Sequence, residues 1–305
     1  MKNHAFLILA HKQPKLLARI LKVLEKENHF FFIHVDKKTP NIDEYIHASN
    51  GISNVYFLHN GIKVYHAGIS IVFAELALLK EAFSFTVSFD YYHLISGQDY
   101  PLRSNLQFDQ FFENTDQSFI YADDDELAKS MEKNYKICAN EFHFNNTSTF
   151  FAKVYKKIRL GKLISIFYRR SPIPYYTGGW QWFSWSYETT KFVLDYIDKH
   201  PKYLQRFNHT ASPDEHIFIT LLKQHSKKLN IKTQDPLRYI SWHPHRPVST
   251  DYRPYNLNEL DFDFVINSRA FFCRKVSEKE SEKLLDLIDA QRDNPYDIDK
   301  FNNFV

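Results

Sequence analysis

Ala5-Phe6-Leu7-Ile8-Leu9-Ala10, closed by His11-Lys12-Gln13-Pro14, is an unbroken apolar run that stops at a turn signal. A strand covered on both faces reads this way, because neither side of it needs a polar residue. The run is too short for a signal-sequence apolar region, and a membrane span needs about 20 such residues. Leu16, Leu17, Ile20, Leu21, Val23 and Leu24 follow at helical spacing. Phe30–Val35 is a second buried run, ended by Asp36-Lys37-Lys38, and Val55–Leu58 a third. Ser70–Phe83 carries Ile71, Ala74, Leu78 and Leu79 on one helical face. Tyr91–Ile95 is a fourth strand, closed by Ser96-Gly97-Gln98-Asp99-Tyr100-Pro101. Strand and helix in alternation predict an α/β fold with a mostly parallel central sheet flanked by helices.

The second half is less regular. Ser118–Tyr121 and Trp182–Ser186 read as strands, and Glu188–Lys199 as a helix. Pro213–Lys223 reads as a helix with Pro213 at its first position and Ser212 as its cap. Leu237–Trp242 reads as a strand, Leu257–Leu260 as the start of a short helix, and Lys279–Gln291 as a closing helix. No internal repeat or low-complexity linker interrupts the chain, so a single domain is the economical organisation.

Hydrophobic residues make up 44% of the 305, enough for a core and against disorder. Aromatics reach 17%; most are core, and the remainder can serve as platforms for sugar rings. A net charge of +3 is too mild to indicate nucleic acid. Cys138 and Cys273 are isolated and make no disulfide or metal pattern, as expected in a reducing cytosol. With 7 glycines and neither GxGxxG nor a Walker A motif, no loop is available to cradle phosphates. A nucleotide bound here needs its phosphates held by side-chain cations or by a metal.

Ligands of open α/β sheets bind beyond the carboxyl ends of strands. That rule singles out His11, Asp36, Ser96-Gly97-Gln98-Asp99 and the segment after Trp242. Ser212-Pro213-Asp214-Glu215-His216 places two acids where a helix dipole stabilises them, so a structural reading stands beside that of a rigidly held general base. Arg246, Arg253, Arg269, Arg274 and Lys275 either meet a diphosphate leaving group or form a solvated basic face. Asp123-Asp124-Asp125 is either an Asp-x-Asp set for a divalent ion or the acidic first turn of a helix. Tyr175-Tyr176-Thr177-Gly178-Gly179-Trp180-Gln181-Trp182 is either a carbohydrate surface or a turn into a buried strand. His243 and His245 sit near Trp242 as phosphate or sugar contacts or as plain surface histidines; the 15 histidines contain no HExxH. From Lys153 to Arg170, basic and apolar residues alternate. That segment either rests on an anionic membrane surface or packs on the domain as a solvated helix.

Seven segments then form an ordered set: Ala10-His11-Lys12, Phe31-Phe32-Ile33-His34-Val35-Asp36-Lys37-Lys38, Tyr91 through Leu102, Gly178-Gly179-Trp180-Gln181-Trp182-Phe183, Ser212-Pro213-Asp214-Glu215, Leu237 through Trp242, and Phe271-Phe272-Cys273-Arg274-Lys275. Over roughly residues 5–275 the order and spacing resemble the Core-2/I-branching glycosyltransferase family. The family includes animal β-1,6-N-acetylglucosaminyltransferases, peptide xylosyltransferases and bacterial members.

The resemblance implies a GT-A-like single domain over 1–305: a nucleotide-binding half (1–110), an acceptor and catalytic half (111–275) and a C-terminal helix (276–305). It implies inverting transfer from a UDP-sugar, N-acetylglucosamine or xylose foremost, to an acceptor hydroxyl, with no metal or other cofactor. Residue by residue, it implies Glu215 as catalytic base. Lys275 and an upstream arginine, Arg253 ahead of Arg246, hold the diphosphate. Asp36 and His11 contact the nucleoside. Gln181, Trp182 and Trp242 hold the acceptor, with Asp214 orienting the turn beside it. One departure is Tyr65-His66-Ala67-Gly68, where the family often has a tryptophan, so His66 is left without a role. Lacking the anchor and disulfides of animal members, the chain resembles a bacterial cytoplasmic enzyme of surface-glycan or lipid-linked precursor synthesis, peripheral at the inner membrane through 153–170. Two other readings stand: a non-catalytic carbohydrate- or nucleotide-binding module, and a metal-dependent transferase using Asp123–Asp125.

Overall fold

A computed structural model of the chain describes residues 1–123, 175–242 and 254–292, together with Ile164. Asp124, Asp125, His243, His245, Arg246, Arg253 and, Ile164 apart, the basic segment 153–170 lie outside the described residues.

The alternation of the first half is realised as β1 (His4–Ala10), α1 (Pro14–Leu24), β2 (His29–Val35), α2 (Asp43–Ala48), β3 (Val55–Phe57), α3 (Ser70–Phe83) and β4 (Tyr91–Ser96). Then come β5 (Asp99–Pro101), α4 (Asn105–Glu113), β6 (Ser118–Ala122), β7 (Gly179–Ser186), α5 (Tyr187–Lys199), α6 (Pro201–Arg206), α7 (Ile217–His225) and β8 (Ile231–Lys232). The described elements end with β9 (Arg238–Ile240), α8 (Phe262–Ile266), β10 (Phe272–Arg274) and α9 (Glu282–Arg292).

Among the described residues the central sheet has seven strands in the order β3-β2-β1-β4-β7-β6-β8. It is mostly parallel; only β7 runs against its neighbours. Helices cover both faces, which explains the continuous apolar runs. Phe6 and Ile8 of β1 pack with Leu17, Ile20 and Leu21 of α1 in one core. Ala5 and Leu7 pack with Val72, Leu78 and Leu79 of α3 in the other. Each fully buried Phe or Leu contributes roughly 1.5–3 kcal/mol, so β1, β2 and α3 are fixed by burial before any polar contact is counted. Gly179 starts β7 so close to β6 that an added Cβ would lie 2.0 Å from the Tyr121 carbonyl oxygen. Gly179 therefore serves strand packing as well as the turn.

A second sheet of three short strands, β5-β10-β9, lies beyond the carboxyl end of β4. Its β10 is antiparallel to β5 and parallel to β9. Asp99–Pro101 reads in the sequence as a closing loop; it becomes a strand by pairing Tyr100 with Cys273. Leu237–Trp242, expected as a strand, contributes Arg238–Ile240 to this sheet.

The segment expected as one helix over Pro213–Lys223 is two pieces. Pro213–Glu215 forms a 3-10 turn, His216 breaks it with φ −129°, and α7 begins at Ile217. Ser212 does not cap by its side chain, because its backbone is left-handed at φ 44°. The closing helix begins at Glu282 rather than Lys279, after a turn in which Ser281 N–H donates to the Ser277 carbonyl at 3.1 Å.

Candidate active site

Loops leaving the carboxyl ends of β1, β2 and β4 converge with the small sheet around a cleft of about 490 Å³. His11 and Lys12 come from the first loop, Asp36 and Lys38 from the second, and Ser96, Gly97 and Gln98 from the third. His66 and Ala67 precede α3, Gln181 and Trp182 belong to β7, and Ser212, Asp214 and Glu215 to the 3-10 turn. Trp242, Arg274 and Lys275 complete the walls from the side of the small sheet.

One corner is acidic. Glu215 opens onto the cleft, where the surrounding walls still strip enough water from its carboxyl to push the pKa up to about 7. The charges of Asp214 and then Asp123 add to that burial effect. Asp214 is buried and pushed up to about 6 by its own burial; its Oδ1 has no hydrogen-bond partner among the described residues. Beneath them Glu75 of α3 is fully buried. Burial, reinforced by the Asp214 charge, holds its pKa well above the usual carboxylate range. Gln181 donates through Nε2 to Glu75 Oε1, which leaves the Gln181 carbonyl oxygen for a ligand hydroxyl. The turn itself is held by a hydrogen bond from Ser212 N–H to the Ala67 carbonyl at 3.1 Å. Both residues are left-handed, at φ 44° and 56°, a conformation that non-glycine residues adopt only when the surroundings enforce it.

Glu75 has a consequence for stability. The folded chain holds this proton to higher pH than the unfolded chain, which ionises above about pH 4.3. Stability is therefore lost as pH rises through that value toward the raised folded pKa. Glu75→Gln removes the penalty and can still accept from Gln181. Thermal denaturation is expected to show the variant a few degrees more stable at neutral pH, with the gap closing toward pH 4. Parallel curves would contradict an upward shift of the Glu75 pKa.

The opposite corner is basic. Asp99 is 0% exposed and ties the loop together: its Oδ2 accepts from Ser96 N–H at 2.6 Å. Its Oδ1 lies 3.3 Å from Arg274 Nη1 and 3.7 Å from Arg238 Nε. The same Arg274 nitrogen donates to Ser96 Oγ. The Arg274 and Arg238 guanidinium carbons stand 4.4 and 5.1 Å from the centre of the Trp182 ring. A desolvated cation on a tryptophan face is worth about 2 kcal/mol, so β9, β10 and β7 are locked to one another here. Burial lowers Arg238 to about 10, which leaves it charged at neutral pH. Burial, then Lys12 and Arg274, lower the Lys275 ammonium pKa. Burial and Lys12 likewise lower His11. Asp36 accepts the Lys38 and Val64 N–H groups on Oδ1 at 2.9 and 3.2 Å. It thereby joins the loop after β2 to the segment before α3. Trp242, 39% exposed, offers a ring at the mouth, with Trp180 behind it at 6.4 Å.

The sequence profile of the family described as Core-2/I-Branching enzyme matches residues 4–265. The chain belongs to the Core-2/I-branching enzyme family. Xylosyltransferase 2 of Homo sapiens is 23% identical over 302 residues, 93% of this chain and 33% of that protein. Xylosyltransferase 1 of Homo sapiens is 23% identical over 303 residues, 93% of this chain and 30% of that protein. The beta-1,3-galactosyl-O-glycosyl-glycoprotein beta-1,6-N-acetylglucosaminyltransferase of Homo sapiens is 31% identical over 107 residues, 34% of this chain and 24% of that protein. The chain thus spans a third or less of the length of these relatives. An apo structure of the WbbM bifunctional glycosyltransferase aligns with 99% of this chain and 51% of that one. Its TM-score is 0.42 at 10% identity, too distant to add to the topology described above.

In this family member, Glu215, Asp214, His11, Asp36, Gln181, Trp182, Trp242 and Lys275 all line the one cleft. Trp182 is 7% exposed and carries two guanidinium groups, so it forms floor more than surface. Asp123, first of the acidic triplet, is absent from the cleft lining. Three residues around the site carried no role in the sequence, Lys12, Glu75 and Arg238; Asp99, singled out as a ligand-end residue, instead ties the loop to Arg274 and Arg238. Glu75 had a readable signal, since it falls three residues after Val72 and four before Leu79, on the buried stripe of α3. Arg238 had none, because its partner Asp99 is remote in the chain.

Among the described residues no helix is long and apolar enough to cross a membrane.

Proposed function

We propose that this family member is an inverting glycosyltransferase that moves a sugar from a UDP-sugar to an acceptor hydroxyl, with Glu215 as general base and side-chain cations in place of a metal. The observation that carries the reading is that a carboxyl poised near pH 7 and the Arg274–Lys275 pair, remote in sequence, line the same cleft. A base is most effective when its pKa lies near the working pH. The Arg274 guanidinium, already held by Asp99 and Ser96, needs no reorganisation as charge builds on a leaving diphosphate. Glu215 takes the acceptor hydroxyl proton and the freed oxygen bonds to the anomeric carbon. The bond from that carbon to the UDP oxygen breaks on the opposite side with both electrons. One displacement inverts the centre.

His11 and Asp36 contact the nucleoside, and Lys275 and Arg274 the diphosphate, with Arg253 and Arg246 as the further cations implied by the resemblance. Trp242 stacks on the apolar face of the acceptor, and the Gln181 carbonyl takes one of its hydroxyls. N-acetylglucosamine and xylose, the sugars in the relatives' names, are the donors proposed. The acceptor proposed is a surface glycan or lipid-linked precursor, met at the cytoplasmic face of the membrane through 153–170.

The test is UDP release by the full chain from UDP-N-acetylglucosamine, UDP-xylose, UDP-glucose and UDP-galactose, at 25 °C in excess EDTA. Release from at least one donor is expected, at the same rate with and without chelator. No release from any donor, or release only after a divalent ion is restored, would count against the reading.

A further inference from the structure

The amino ends of β1, β2 and β4 enclose a buried polar cluster that the proposed reaction does not use. His4, His29 and His93 are 0% exposed and sit among the rings of Phe6, Phe108 and Phe112. His29 Nδ1 lies 2.7 Å from the Leu24 carbonyl oxygen. A carbonyl only accepts, so that nitrogen carries a proton. Its other nitrogen, Nε2, lies 2.8 Å from Asp109 Oδ1. His4 Nδ1 lies 3.0 Å from His93 Nε2, and His93 Nδ1 lies 2.9 Å from Ser184 Oγ. With protons donated along this relay from His4 toward Ser184, His4 Nε2 is a bare lone pair. That buried atom has no hydrogen-bond partner among the described residues and stands 3.7 Å from the same Asp109 oxygen. One ligating atom from each of His4, His29 and Asp109 lies within 4.8 Å of the other two. Two imidazole nitrogens and a carboxylate oxygen thus converge in a buried pocket, and a proton or a metal ion between them offsets the facing lone pairs.

We propose that His4, His29 and Asp109 bind a transition-metal dication of the zinc class. Nitrogen-rich ligand sets favour zinc, cobalt or nickel over calcium and magnesium. Each histidine has its other nitrogen engaged, by a backbone carbonyl or by His93, the outer arrangement that fixes tautomer and ring orientation in metal sites. Lys26 and Asn28 hold Asp109 Oδ2, leaving Oδ1 for the ion. Binding displaces the proton shared by His29 and Asp109 into solvent, with no change of oxidation state. His4 opens β1 and the cleft lies past its other end. Seven residues of strand put roughly 20 Å between them. The ion therefore joins β1 and β2 to α4 and takes no part in sugar transfer. The Lys26 ammonium opposes the incoming charge and limits affinity.

The site goes beyond the proposed reaction and does not depend on it. The full chain, stripped of metal with chelator and dialysed, is titrated with Zn²⁺ and separately with Co²⁺. The expected results are one equivalent bound, intense visible bands of low-coordinate Co²⁺, and a melting temperature about 5 °C higher at a hundredfold excess of Zn²⁺ over Kd. Asp109→Asn should abolish the cobalt bands, and Lys26→Gln should tighten binding about tenfold. Turnover at 25 °C should be the same with and without zinc, which separates this site from a catalytic metal. Should Asp109→Asn fail to fold, the stoichiometry and bands of the unmodified chain decide. Binding below one equivalent, weak octahedral bands, or bands retained in folded Asp109→Asn overturn the proposal and leave an imidazolium–carboxylate pair.

Discussion

Glu215→Gln is expected to lower turnover about 10³-fold while UDP binding stays within about twofold of the unmodified chain. Glutamine keeps the shape and much of the hydrogen bonding of the side chain but cannot take a proton. Glu215 opens onto the cleft and is no part of the packed core, so the fold should survive the change. The measurement is UDP release with the best donor of the screen, beside calorimetric titration with UDP. Turnover within tenfold of the parent would move the base elsewhere, and loss of UDP binding would show that Glu215 holds the donor.

Lys275→Met is expected to cost about 10²-fold in turnover and to weaken UDP binding as well. Methionine retains most of the apolar stem and removes only the charge. The neighbouring Arg274 cannot substitute freely, because Ser96 and Asp99 already fix its guanidinium. An uncharged Lys275 leaves the diphosphate to Arg274 and to cations on mobile stems such as Lys12. Unchanged turnover together with unchanged UDP affinity would remove Lys275 from the donor site.

How far the sequence revealed this arrangement depended on the range of the interactions. β1, β2, α3 and β4 were legible because both faces of the sheet are covered, so burial writes itself as unbroken apolar runs and one helical stripe. The small sheet was not, since strands as short as Asp99–Pro101 and Phe272–Arg274 carry no period and exist only through each other. The left-handed Ser212 was likewise invisible: a serine before a proline is as good a helix cap in sequence as it is a strained turn. The residues that line the cleft were singled out largely by the carboxyl-end rule and the family resemblance. Glu75 and Asp99 were missed as partners because Gln181, Arg274 and Arg238, which face them, lie far along the chain. The histidines looked scattered for the same reason. His4, His29 and His93 occupy separate strands, and only the register β2-β1-β4 sets them side by side.

In the proposed reaction Glu215, raised to about 7 by burial in the cleft walls and by Asp214 and Asp123, takes the acceptor proton without help from a metal. The most direct test is kcat/KM in excess EDTA from about pH 5 to about pH 9. The base must be ionised, so the rate should climb about tenfold per pH unit below the midpoint and level off above it. The midpoint should fall near pH 7. A rate that stays flat from about pH 5 upward, in the same buffers and with the same donor, would contradict the account.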